Sequence, residues 1–129
     1  MIHALLDRFP APLWRALAWF GVAVVLALSL LSVPVPVELE FWSADKLVHM
    51  GMYASLMLCF SRGYARKQWL TIACALGTLG LTIEYLQSLT PDRSASLYDE
   101  IANLAGISIM LLLVRRLPDS AARATSHEP

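Results

Sequence analysis

Charge is scarce in this sequence. Only 16% of its 129 residues are Asp, Glu, Lys or Arg, against roughly 25% in a typical soluble domain. The balance is neutral, with ten acidic and ten basic residues. No global bias toward nucleic acid or anionic surfaces follows. Cysteine is nearly missing. Cys59 and Cys74 both lie in apolar blocks, where a cysteine behaves as a small hydrophobe. Two such residues give no disulfide framework and no metal-binding spacing. Internal repeats are missing too.

Long apolar blocks are what the chain does have. Hydrophobic residues make up 57% of it, in runs separated by short charged loops. A helix needs about 20 apolar residues to cross a bilayer. The blocks predict an all-α membrane protein of four transmembrane helices, at about 14–33, 45–61, 68–89 and 97–115. These form one domain over residues 1–117. Residues 118–129, polar and rich in Ala and Ser, read as a disordered cytoplasmic tail. Pro34 and Pro36 stop the first helix, because proline lacks the amide proton and clashes with the preceding turn. Ser43 is placed to cap the second. Thr90-Pro91-Asp92 ends the third. The first block is too long for a signal-peptide core and lacks a small-residue cleavage site. Residues before Trp14, with Leu5, Leu6 and Phe9, suit a short interfacial helix.

Orientation follows from the basic residues. Arg8, Arg15, Arg62, Arg66, Lys67, Arg115, Arg116 and Arg123 all fall on one side of this topology. They are eight of the ten basic residues. Glu38, Glu40, Asp45, Asp92, Asp99 and Glu100 fall on the other, with Lys46 and Arg93. Both termini should be cytoplasmic, in the inner membrane. Trp14, Trp19, Trp42 and Trp69 lie near helix ends, where an aromatic belt is expected.

Polar residues inside membrane helices are costly and default to a functional reading. Asp45 and His49 are four apart, on one helix face that Tyr53 continues. A neighbouring carboxylate orients an imidazole and fixes its tautomer. Glu84 and Gln87 share a face with Gly80 and Gly77, and small residues admit a close neighbour. Asp99, Asn103 and Gly106 make a third such face. At about 1.5 Å per residue, His49 lies about 6 Å from its helix end, and Glu84 and Asn103 about 8–9 Å. The three polar faces therefore reach similar depth. Arg93, in the loop between the third and fourth helices, is placed to close over them. The competing reading is structural: Asn103 and Gln87 as interhelical hydrogen bonds, Asp45 and Asp99 as helix N-terminal acids, Lys46 as a snorkelling anchor.

Asp45-Lys46-x-x-His49, Glu84-x-x-Gln87, Pro91-x-Arg93 and Asp99-x-x-x-Asn103-x-x-Gly106 occur in this order. The pattern resembles the VanZ-like family of bacterial membrane proteins, over about residues 40–112. The family's namesake is associated with reduced sensitivity to the glycopeptide antibiotic teicoplanin. The resemblance implies an inner-membrane protein linked to the cell envelope; it supplies no reaction.

The expected site is an outward-facing cluster that recognises or modifies a cell-envelope lipid or lipid-linked precursor. His49, Asp45, Glu84 and Asp99 are its candidate catalytic groups, as acids or bases. Arg93, Lys46, Gln87, Asn103 and Tyr53 are its candidate binding groups, with Arg93 and Lys46 suited to phosphate. No cofactor is required. A divalent metal on Asp45, His49, Glu84 and Asp99 is chemically reasonable, but no compact ligand motif such as H-E-x-x-H is present. The alternative is a non-enzymatic binding or assembly subunit whose polar cluster fixes helix packing or docks a partner. A transporter or proton relay ranks last, because the inner halves of helices two to four offer no polar path.

Overall fold

The computed structural model describes residues 8–31, 42–89 and 96–116. They form four helices and one 3-10 turn, with no strand among the described residues. Helix α1 spans Ala11–Leu30, three residues earlier at each end than expected. It opens sooner because Pro12 sits in its first turn, where a missing amide proton costs nothing. It ends where Leu31 turns to extended backbone. Helix α2 spans Trp42–Gly63. Its first residue is Trp42, so Ser43, the expected cap, falls within the helix and not ahead of it. Asp45 in the first turn complements the helix dipole instead. A 3-10 turn, Arg66–Gln68, leads into α3, Trp69–Ser88. Helix α4 spans Leu97–Arg115, with Asp99 and Glu100 in its first turn and Arg115 in its last.

At about 1.5 Å per residue, each helix is about 30 Å long, the thickness of a bilayer's hydrocarbon core. Helices α1 and α4, and α3 with its preceding turn, are apolar enough to cross a membrane. Helix α2 is less apolar, carrying Asp45, Lys46, His49 and Arg62. It occupies the middle of the bundle, touching α1, α3 and, most extensively, α4. A helix sheltered by three neighbours can carry polar groups that a lipid-facing one cannot.

Three contacts fix the topology. Arg15 Nε donates to the Gly63 carbonyl at 2.7 Å, joining the start of α1 to the end of α2. Gln87 Nε2 donates to the Ser29 carbonyl at 2.9 Å, joining the ends of α1 and α3. Arg66 donates to the Arg115 carbonyl at 2.6 Å, joining the start of α3 to the end of α4. Successive helices therefore run in opposite directions.

The core gathers Tyr53, Met57 and Phe60 of α2 with Ala18, Val25, Leu76, Ile83, Ile107, Leu111 and Val114. Outside it, Phe20, Leu28, Leu70, Leu81, Ile101 and Leu112 are exposed. A water-facing surface rarely carries so many large apolar groups; a lipid-facing one does. Trp14 and Trp69 lie near the starts of their helices and are buried in the bundle. The indole of Trp69 donates to the Tyr64 carbonyl at 3.0 Å, which draws it inward.

Helix α2 meets α4 most closely at Gly106. A Cβ there would collide with the carbonyl oxygen of Met50, and its nearest neighbours are backbone atoms that cannot swing aside. Gly51, on the same helix as Met50, has nothing within 4 Å of an added Cβ. Gly106→Ala is expected to destabilise the bundle by about 1–3 kcal/mol through overpacking. Gly51→Ala should be neutral or up to about 1 kcal/mol stabilising from helix propensity. Thermal unfolding in detergent checks both; equal midpoints would contradict the close approach.

Candidate functional site

Helices α2 and α4 run side by side in the same direction, so their first two turns lie together. Asp45, Lys46 and His49 of α2 face Asp99, Glu100 and Asn103 of α4. The Lys46 ammonium pairs with Asp99 across the helices, and with Asp45 beside it at 3.1 Å. Lys46 is therefore half-buried between two carboxylates, and does not snorkel outward. It screens two acids that would otherwise repel.

The His49 ring is held from one side. Asn103 Nδ2 donates to Glu100 Oε2 at 3.1 Å. That fixes the amide and leaves Asn103 Oδ1 to accept from His49 Nδ1, 3.2 Å away. The tautomer is thus set by Asn103 and not, as the i, i+4 spacing implied, by Asp45. His49 Nε2 then points at two carboxylates, 3.8 Å from Asp45 Oδ1 and 3.9 Å from Asp99 Oδ2. Both distances exceed a hydrogen bond. In the neutral ring, Nε2 and the two carboxylates are all acceptors. A protonated ring would donate to these carboxylates itself, while a neutral one leaves a gap that a bound donor or a second cation would fill.

Below this mouth lies a buried layer. Asn103 and Tyr53 are 2% exposed, Glu100 3% and Glu84 7%. Glu84 of α3 accepts from the Ser96 amide at 2.8 Å, which ties α3 to the start of α4. It lies within electrostatic reach of Asp99, His49 and Lys46. Tyr53 is similarly placed toward Glu100 and Glu84. Gly80, one turn from Glu84, faces the Glu100 carboxylate and the Asn103 amide, and has no room for a Cβ. Glu100 Oε1 is buried with no hydrogen-bond partner among the described residues.

Of the expected site residues, Asp45, Lys46, His49, Asp99 and Asn103 are brought into direct contact or near contact. Glu84 and Tyr53 border them. Gln87 turns to α1 and bonds Ser29, so its amide serves helix packing. Arg93 and Pro91 lie outside the described residues. Glu100 was not among the expected residues; it entered the sequence reading only as one of the acids on the outer side. Its signal was position: Glu100, Asn103, Ile107, Leu111 and Val114 form one buried stripe.

One ligand atom from each of Asp45, His49 and Asp99 lies within 4.8 Å of the others. Two carboxylates and an imidazole suit a divalent cation. The Lys46 ammonium bonds both of these carboxylates and would have to yield them. Glu84 is not part of this group.

A bundle of bilayer-length helices, lipid-like outside and polar at one buried end, defines a multi-pass membrane protein. The VanZ/LLP1 family model matches residues 12–118, and the chain belongs to the VanZ-like family. No curated protein and no solved structure shows significant similarity to it.

The Asn103 link carries a prediction. Asn103→Leu removes both of its hydrogen bonds and leaves Glu100 wholly unpartnered, at a cost of about 1–3 kcal/mol. Adding Glu100→Gln to that variant should recover part of the loss, since a neutral amide is cheaper to bury than a carboxylate. A thermal midpoint for Asn103→Leu equal to that of the parent would show that the network contributes nothing.

Proposed function

We propose that all four helices cross the inner membrane, with both termini cytoplasmic and the polar end facing outward. There the site recognises, and through His49 can modify, a cell-envelope lipid or lipid-linked precursor. The observation that carries this reading is that His49 Nε2 faces Asp45 Oδ1 and Asp99 Oδ2 at 3.8 and 3.9 Å, beyond hydrogen-bond range, while Lys46 holds the other oxygen of each carboxylate. Such a gap accepts a hydroxyl or amine from a ligand. An envelope headgroup rich in those groups meets the need, and His49 is placed to move a proton at that atom. Lys46, released from its carboxylates, and Arg93 are the groups suited to a phosphate. A link to glycopeptide resistance of the teicoplanin type would follow if the ligand lies on the route to the cell wall.

The membrane orientation rests on charge. The described acids Asp45, Glu84, Asp99 and Glu100 lie toward one end of the bundle, while Arg15, Arg62, Arg66, Lys67, Arg115 and Arg116 lie toward the other. The basic end belongs in the cytoplasm. Alkaline phosphatase fused within 34–40 or 91–95 should be active, and fused after residue 117 inactive. Activity at the C-terminal fusion would overturn this topology.

For the site, His49→Ala and Glu84→Gln should each abolish any teicoplanin or other envelope phenotype conferred by the expressed protein, at unchanged protein level by immunoblot. A phenotype kept in both variants would sink the proposal.

A second reading has its own support. The Lys46–Asp99 pair, the His49–Asn103 bond and the Gln87–Ser29 bond all bridge helices, as they would in an assembly subunit that only needs to hold its shape. That reading expects the same substitutions to lower the thermal midpoint and the amount of protein, with any phenotype falling in proportion.

A further inference from the structure

The end of the bundle opposite the polar site has a feature that the proposed function does not use. An apolar groove of about 620 Å³ runs along the flank between α1 and α3, which touch each other only lightly. Its walls are Trp19 and Val22 on one side and Ala75 and Leu79 on the other, with Phe60 of α2 as the floor. Such a volume falls within the range of small-ligand sites, roughly 300–1,000 Å³. Its aromatic walls are fixed: Trp19 stands edge-on to Phe60 at 5.4 Å between ring centres, and its indole donates to the Tyr64 hydroxyl at 3.0 Å.

The groove's mouth is basic. Lys67 lines it, is exposed, and makes no hydrogen bond or ion pair with the described residues. The Arg15 guanidinium lies over the Tyr64 ring at the same mouth, 5.1 Å from its centre. No acidic side chain among the described residues lies at this end. An apolar groove beneath an exposed cation complements an amphiphile with a negative head.

We propose that this groove binds an anionic phospholipid from the cytoplasmic leaflet, one acyl chain lying along Phe60 and Leu79 and its phosphate pairing with Lys67. The proposal rests on the membrane reading and its orientation. It is independent of what the outward site does. Lipids sliding past a smooth helical surface have no headgroup preference; here a fixed groove places the head beside Lys67. A single lysine near a membrane surface favours an anionic lipid about five-fold.

The test uses the full chain in phosphatidylcholine vesicles carrying increasing mole fractions of dibrominated phosphatidylglycerol or dibrominated phosphatidylcholine, with quenching of tryptophan fluorescence as the readout. Trp19, on the groove wall and 58% exposed, is open to the quencher, whereas Trp14 and Trp69 are buried. Half-maximal quenching should need about five-fold less of the brominated phosphatidylglycerol. Lys67→Ala should abolish that difference. Ala75→Phe, at an exposed position inside the groove, should weaken quenching by both lipids without changing helix content by circular dichroism. Equal half-saturation by the two lipids in the parent, a preference that persists in Lys67→Ala, or quenching undiminished in Ala75→Phe would overturn the proposal. A chain that does not float with the vesicles would overturn the membrane reading and this proposal together.

Discussion

In hydrocarbon, an apolar side chain gains little by leaving lipid for another helix, so close packing and polar contacts decide which helices associate. The α2–α4 contact supplies both. At Gly106 the two backbones approach without an intervening side chain. One turn further toward the polar end, Asn103 bonds His49, and beyond it Lys46 pairs with Asp99. The remaining helices are organised around this pair. Helix α3 joins through Gly80, which lies flat against Glu100 and Asn103, and α1 through Arg15 and Gly63. Loosening the α2–α4 seam would therefore disturb the site and the fold at once.

The same seam explains why α2 need not look like a membrane helix. Its charged first turn faces α4, and its core residues Tyr53, Met57 and Phe60 are enclosed. Lipid sees mainly α1, α3 and α4, which carry the apolar length. The bundle thus separates its functions by end. Acids and their amide and imidazole partners gather where α2 and α4 begin. Guanidinium groups gather where they end, capping carbonyls and stacking on Tyr64 and Trp69.

Much of the site was legible because helical spacing is rigid. Asp45 and His49 had to share a face, as did Asp99 and Asn103, whatever the rest of the chain did. Glycines at 77, 80 and 106 marked the sides that other helices approach. Spacing could not tell which partner a polar atom chooses. Gln87 sits one turn from Glu84 yet bonds α1. Lys46 reads as an anchor on an isolated helix and becomes a bridge only when Asp99 is beside it. Glu100 counted only toward the outer charge, and its burial depends on Gly80 of another helix.

Composition and the placement of charge by themselves determined the all-helical membrane class and the positions of the four helices to within a few residues. They could do so because burial in lipid imposes its demands on each helix separately: enough length, internally satisfied backbone and few charges. Which polar groups meet, and which nitrogen of His49 is left to act, belonged to the tertiary structure alone. Those facts depend on the relative rotation of α2, α3 and α4. That rotation is set by glycine contacts and side-chain bonds between residues far apart in the chain, such as His49 and Asn103, 54 positions apart, which no local pattern encodes.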